Sequence, residues 1–423
     1  MFAYKIWVEF CIRLICLKRA IRNYKYVLHL SDETAARFKD FLKEYNFEYD
    51  EIGVYYLGEF PQTTPPFDLK NRDIINIVKS IGNDSFEKFK SFINNKEFPK
   101  LVVCEKYFGV KSYLFGWLHS PINTNVKGFR PGALKKFSAI STIQSNENVN
   151  RITTDVFTME RLENRTSGMV VKEVEKTFLI AGVGSIGSNL IYFLNSINSP
   201  SLKLIDNDKI RIENIQRHLL GFEYIGDYKT KAIKDYILKN NPLQRVSTKE
   251  GSIVDIVNKD IDYLNESDYI FISIGKANID NWVCQSLKDG VINKPVFIIW
   301  VEPFLCGGHC IYLHPSNPEF KKYFDDDFFK FNVIDSDEYR SGNKSLSLRE
   351  AGCQTTYIPY SGSNVISFIS SLFPFISSII DYNKTDSLAF TWLGNTEEVK
   401  KLGIKISSYY ENKNIGSIIE HTL

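Results

Sequence analysis

The stretch TFLIAGVGSIGSNLIYFL constrains this chain more than any other. A strand-like apolar run ends at Gly182, a helical pattern follows Gly184, and Gly187 completes a Gly-x-Gly-x-x-Gly spacing. At such a junction the first glycine permits a tight turn and the second lets the backbone approach phosphate. The third lets helix and strand pack closely, and the helix N-terminus favours negative charge. Alone the motif is weak, and the competing reading is a glycine-rich turn without a ligand. Its strand–turn–helix setting favours a nucleotide site.

The surrounding pattern agrees. From Lys176 to Trp300, SLKLID, DYIFISIG and PVFIIWV read as strands, and DYKTKAIKDYILKNN and NIDNWVCQSLKDG as helices. Nearly continuous apolar strands alternating with helices predict a parallel sheet covered on both faces, a Rossmann-like α/β fold. Further on, NVISFISSLFPFISSIID reads as a long helix interrupted at Pro374, and AFTWLG and IKISSYY as strands. Residues 1–150 read instead as an α+β domain. Helical spacing in SDETAARFKDFLKEYNF and RDIINIVKSI accompanies strands in YDEIGVYYLGEF and FPKLVVCEKYFGVKSYLFGWLHS. Cys104 falls inside an apolar run and reads as a buried structural thiol.

Bulk properties narrow the class. At 423 residues the chain has room for two or three domains. A formal net charge of +2 makes no demand for nucleic acid or an anionic membrane, so neither is expected as a partner. No apolar run of about 18 residues is read from the sequence, and Glu9, Arg13 and Lys18 interrupt the first apolar stretch, against a signal peptide. Seven irregularly spaced cysteines favour reduced thiols in a cytoplasm over a disulfide framework.

Asp206 closes the second strand of the α/β region, where a Rossmann acid grips ribose hydroxyls. To this point a dehydrogenase and an adenylating enzyme are equally served. The next stretch, IDNDKIRIENIQRHLLGFEYIGDYKTKA, separates them with Asp-x-Asp, then Asn-x-x-Arg, then Gly-x-x-Lys. It resembles the nucleotide site of the ThiF, MoeB and ubiquitin-activating superfamily. The resemblance implies a ThiF-type adenylation domain over residues 151–423 that uses ATP and Mg²⁺. Gly182, Gly184 and Gly187 would form its phosphate loop and Asp206 would hold ribose. Asn214, Arg217 and Lys229 would line the triphosphate, Arg217 and Lys229 acting catalytically by offsetting charge that develops at phosphorus.

The chain departs from the family in one place. Many members carry an Asp in a Thr-Asp-Asn context after the fourth strand that helps hold Mg²⁺. Here the sequence is SIGKAN, with Lys276 near that position and Asp280 inside the following helix, so the metal ligands stay open. CGGHC offers Cys306, His309 and Cys310 as a metal knuckle, but alternation along a strand points the histidine away from the cysteines.

WVEPFLCGGHC, RTSG, NIQRH and AGCQTTYIPYSGSN resemble bacterial fusions of a conjugating-type domain with an activating domain, of the CBASS anti-phage kind. That resemblance implies a degenerate conjugating-type domain at the N-terminus. It also implies a partner with a reactive C-terminal tail, either a ubiquitin-like protein or a nucleotidyltransferase. Cys353 would accept the acyl group as a thioester, with Arg349 favouring its thiolate. The wider superfamily resemblance implies a homodimer, with Arg161 or Arg165 as candidates to reach into the other protomer's ATP site. Two rivals remain at this stage. One is an adenylyltransferase or dehydratase acting on a small molecule, sulfur carrier or tRNA. The other is a non-catalytic nucleotide-binding scaffold, which Lys276 favours.

Overall fold

A computed structural model describes residues 13–18, 25–30, 32–46, 49–51, 53–60, 69–95, 100–108, 111–119, 122–156, 176–196, 200–325, 328–349 and 356–421. Cys353, Arg161, Arg165 and the RTSG stretch lie outside the described residues. The chain divides into two units, residues 1–162 and 163–423.

The first unit holds strands β1 (Arg13–Lys18), β2 (Lys25–Leu30), β3 (Tyr49–Glu51), β4 (Gly53–Glu59), β5 (Lys100–Phe108), β6 (Lys111–Leu118) and β7 (Asn150–Val156). They form one sheet in the order β3-β1-β2-β7-β6-β5-β4. Helix α1 (Asp32–Glu44) follows β2, and α2 (Asn71–Ile81), α3 (Asn83–Asn94) and α4 (Lys136–Ser141) complete the unit. Ile74, Ile77 and Val78 recur at helical spacing on α2 and bury against Leu57, Phe60, Val102 and Trp117. Cys104 is fully buried in this core, and desolvation pushes its thiol well up from the ordinary range. His119, just past β6, is also buried. Its Nδ1 lies 3.0 Å from Asn71 Oδ1, and burial pushes the imidazole down to about 4.

The second unit is built on an eight-stranded sheet. Its parallel part comprises β8 (Thr177–Ala181), β9 (Ser201–Asp206), β10 (Val246–Glu250), β11 (Tyr269–Ile272) and β12 (Val296–Val301), in the order β10-β9-β8-β11-β12. Numbered within the unit this is 3-2-1-4-5, the doubly wound order. Helices α5 (Ser185–Leu194), α6 (Lys229–Asn240), α7 (Ile253–Lys259), α8 (Asp262–Asn265) and α9 (Ala277–Lys288) fill the crossovers. Alternate residues of β8 serve opposite faces. Phe178 and Ile180 pack with α5, while Leu179 and Ala181 pack with α7 and α9.

Beyond β12 the sheet turns antiparallel. β13 (Gly307–Leu313) returns antiparallel to β12. The short pairs β14 (Phe324–Asp325) with β15 (Phe328–Phe329) and β16 (Leu348–Arg349) with β17 (Thr356–Tyr357) flank helix α10 (Ser336–Arg340). Helix α11 (Gly362–Tyr382) leads to β18 (Leu388–Leu393), and after α12 (Glu397–Lys401) the strand β19 (Ile418–His421) pairs antiparallel with β18.

Three expectations need correction. IKISSYY is not a strand: Ile406 makes one isolated bridge to Ile334, and Ser408–Tyr410 is a 3-10 turn. Pro374 does not interrupt α11. The proline sits on its exposed side, and the helix runs through 21 residues. That helix is also long and apolar enough, by length and composition, to cross a membrane. In this fold Val365, Phe368, Ile369, Leu372, Ile376, Ile379 and Ile380 are buried in the core shared with β8 and α5.

Candidate active site

The glycine loop takes its shape from the strand beside it. Gly182 has φ +90°, a region that favours glycine, and a Cβ there would sit 2.7 Å from the Ser273 carbonyl oxygen. A Cβ on Gly187 would run into the Gly182 carbonyl oxygen and lie 2.7 Å from Ser273 Oγ. Around Gly184 the same test meets nothing within 4 Å, so this position faces open space. Ser273 closes the arrangement, its Oγ donating to the Gly182 carbonyl at 2.6 Å.

Asp206 stands at the end of β9. Its Oδ2 accepts the Val183 N–H at 2.6 Å and its Oδ1 the Asp208 N–H at 2.8 Å. Burial raises its pKa, against the opposing pull of Lys229 and these two donors. Each carboxylate oxygen keeps a lone pair for a hydroxyl. Lys229 begins α6, nearly buried, and its Nζ lies 3.0 Å from Asp208 Oδ2. Asn214 ends a 3-10 turn, where its Oδ1 accepts the Arg211 N–H at 3.1 Å.

Arg217 is fixed from two sides. Its carbonyl accepts Ser185 Oγ at 3.0 Å and Asn189 Nδ2 at 3.1 Å, which ties its turn to α5. Its guanidinium lies 4.9 Å from the centre of the Tyr360 ring. The neighbouring His218 is a locator that the sequence reading passed over. Its Nδ1 accepts the Leu220 N–H at 3.1 Å, so Nε2 carries the proton and donates to the Val183 carbonyl at 2.9 Å. Burial pushes this imidazole down to about 4. The only sequence signal for it was its place next to Arg217 in NIQRH.

A cleft of about 2210 Å³ opens at the C-terminal edge of the parallel strands. Gly184, Ser185, Arg217 and Tyr360 stand in its wall, as do Gly275, Asn278 and Asp280. Asp206, Asn214 and Lys229 lie on the adjoining loop between β9 and α6 and are not part of that wall. The N-terminal turns of α5 and α9 therefore face one space, and both present partial positive charge to it. Lys276 caps α9 in an extended conformation and is exposed. Asp280, in the first turn of α9, has an Oδ1 that is buried without a hydrogen-bond partner among the described residues. Burial alone pushes its carboxyl up to about 7. An uncompensated carboxylate beside a phosphate-type loop fits a hard divalent cation, which takes one or two carboxylates plus phosphate oxygens.

The three elements of CGGHC go separate ways. Cys310 is buried on the α11 side of the sheet, Cys306 packs with Val333 and Val399, and His309 turns to Glu302. Among the described residues no group of three His, Cys, Asp or Glu side chains could hold a metal ion.

The α/β region is similar to several known proteins. The ThiF family model matches residues 170–331, a stretch that takes in the glycine loop, the 206–229 loop and the β12–β13 side of the cleft. Ubiquitin-like modifier-activating enzyme 5 of Caenorhabditis elegans is 26% identical over 151 residues, 34% of this chain and 36% of that protein. Among solved structures, PaaA is 17% identical with a TM-score of 0.38, covering 56% of this chain and 62% of that one. E. coli MccB with MccA is 16% identical with a TM-score of 0.39, covering 62% and 66%. The match thus spans about a third of the curated relative and less than two thirds of either structure.

Proposed function

We propose that this chain adenylates the C-terminal carboxylate of a partner protein at the expense of ATP. The observation that carries the reading is the cleft itself, where two helix N-termini, the open Gly184 position and the clamped Arg217 share one wall. Its volume of about 2210 Å³ exceeds the ~300–1,000 Å³ of a single small-molecule pocket, which suits a nucleotide and a second reactant together.

In this reading the loop N–H groups from Gly182 to Gly187 bind phosphate, and Asp206 accepts from the ribose hydroxyls. Asn214, Arg217 and Lys229 line the triphosphate. The partner's carboxylate oxygen attacks the α-phosphorus, the bond to the bridging oxygen breaks, and pyrophosphate leaves with that electron pair. Arg217 and Lys229 offset the charge that builds at phosphorus. Mg²⁺ bound with ATP would neutralise phosphate charge, and Asp280 is the residue to hold it.

The acyl-adenylate then passes its acyl group to a thiolate, releasing AMP, with Cys353 as our candidate acceptor. The partner is a ubiquitin-like protein or a tail-bearing nucleotidyltransferase, and the name of the C. elegans relative supports the first. Assignment to the anti-phage fusion subtype, and to a homodimer using Arg161 or Arg165, rests on the sequence motifs alone.

The test is ATP–pyrophosphate exchange with carboxyl-ended candidate tails. Exchange should depend on the tail, and Arg217→Ala should slow it at least tenfold, about 1.4 kcal/mol of transition-state stabilisation. Tight NAD binding without any response to ATP would sink the reading. ATP binding without exchange would leave a nucleotide-binding scaffold, the alternative that Lys276 favours.

A further inference from the structure

Four rings form a continuous floor on the side of the cleft away from the glycine loop. The Phe320 and Phe324 centroids are 4.4 Å apart, Phe324 and Phe329 5.5 Å, and Phe329 and Trp300 5.0 Å. All four line the cleft. Phe320 and Phe329 are buried, while Trp300 and Phe324 are partly buried and keep some ring surface open to a ligand.

The sheet fixes how far this floor lies from the nucleotide loop. Ala181, Ile272 and Ile298 form one row across β8, β11 and β12. Gly184 stands three residues beyond that row, past the end of β8, and Trp300 two residues beyond it, near the C-terminal end of β12. Two strand spacings of about 4.8 Å separate them laterally, so the floor begins roughly 10 Å from the loop. An extended chain advances about 3.3 Å per residue, so a tail whose terminal carboxylate reaches the loop has its third or fourth residue from the end over Trp300.

Around the floor Glu319 is paired with Lys322 at 3.3 Å, which leaves the lysines beside it as the surplus charge. Lys321 follows Phe320 directly, and Lys288 lies on the last turn of α9. Both border the cleft, both are exposed, and neither has an ion-pair partner among the described residues. We propose that this floor is the tail subsite of the adenylating cleft. It takes a large apolar side chain about three residues before the reacting carboxylate, with acidic residues further upstream. The proposal rests on the adenylation reading and adds the tail's chemistry to it.

The experiment is pyrophosphate exchange driven by synthetic Gly-ended octapeptides with free carboxylates, ATP and Mg²⁺. Peptides differ only at the third and fourth positions from the end, carrying Phe, Leu, Ala or Lys. Phe or Leu at one of these should drive exchange at least tenfold better than Ala, and Lys worst. Trp300→Ala should collapse this preference to within twofold. Trp300→Phe, which keeps a ring, should restore most of it, and this pattern separates a subsite from general damage to the fold. A second pair of octapeptides keeps Phe at the better position and carries Glu or Lys at the first three; the Glu peptide should drive exchange better, and Lys321→Glu should reverse that order. Exchange that ignores both positions overturns the subsite while leaving adenylation standing. Exchange with none of the peptides, although ATP binds, counts against the adenylation reading and the subsite together.

Discussion

His309 Nε2 lies 2.7 Å from Glu302 Oε1, and both side chains are buried. Glu302 closes the end of β12 and gathers donors from far along the chain. Its Oε1 also accepts the Val333 N–H at 2.6 Å, and its Oε2 accepts the Ile334 N–H at 2.9 Å and the Tyr339 hydroxyl at 2.8 Å. His309 continues the network through Nδ1, 3.0 Å from Thr391 Oγ1, which in turn lies 2.9 Å from His421 Nε2. One carboxylate thus secures the segment behind Asn332 and Tyr339, both of which border the cleft.

Removing that carboxylate should therefore cost as much as truncating a large core side chain. Glu302→Ala leaves two amides, a phenol and an imidazole without their acceptor, and we expect a loss of about 3–5 kcal/mol in urea unfolding. Gly307→Ala should damage the same hub, because a Cβ there would meet the Glu302 carboxylate and approach Val333 Cγ2 to 2.8 Å. An alanine at 302 costing under about 1 kcal/mol would show that the network holds little.

The two outer glycines of the loop should separate cleanly from the middle one. Gly184 has φ −81° and room for a Cβ, so Gly184→Ala should fold with wild-type stability and lose ATP affinity, since its methyl would occupy the phosphate side. Gly187→Ala forces a Cβ against the Gly182 carbonyl and should destabilise by about 1–3 kcal/mol. Paired thermal melts and calorimetry with ATP check both. Equal destabilisation by the two variants would contradict this division.

What the sequence made legible was local. The glycine loop and the helix α9 were readable because each requirement, a tight glycine turn or helical apolar spacing, is met within a few residues. The parallel strands were readable because burial on both faces leaves them almost wholly apolar. Glu302 was not, since its partners Val333, Ile334 and Tyr339 lie 31 to 37 residues away, two in irregular chain and one on the short helix α10. The same holds for Asp280, which reads as an ordinary first-turn acid until its missing partner is seen. IKISSYY misled because Ile404 and Tyr410 are buried like strand residues but serve a turn. Pro374 misled because a helix can carry a proline when packing of its other face outweighs one lost hydrogen bond.

Protonation should weaken the first unit through His119. Its folded pKa is about 4 against 6.5 when unfolded, so the unfolded chain binds more protons between those values. The stability this contributes is present above about pH 6.5 and is lost as pH falls toward 4, amounting to about 2 kcal/mol between pH 7 and pH 5. His119→Gln should flatten that part of the pH profile. In NMR the His119 ring should not titrate above pH 5.

Asp280→Asn keeps shape and removes charge. If Asp280 holds the cation beside ATP, calorimetry should show the gain in ATP affinity on adding Mg²⁺ fall at least tenfold, while metal-free ATP binding stays the same or tightens. An unchanged Mg²⁺ dependence would assign the metal to phosphate oxygens alone.

The thiols offer the last test. Cys104, Cys284, Cys306 and Cys310 are all buried, and desolvation is the first cause raising each pKa. Cys284 is raised further by Asp280 one helical turn away, and Cys306 by Glu302. Alkylation needs the thiolate, so these four should stay unmodified by iodoacetamide at pH 7.5 in folded protein. Cys353, beside Arg349 in sequence, should label, and Mg·ATP with a competent tail should protect it as a thioester forms. Cys353→Ala should keep pyrophosphate exchange and lose the thiol-sensitive conjugate on a non-reducing gel. Mass spectrometry of the digest assigns the label, and a conjugate that survives in Cys353→Ala would place the acyl group on another residue.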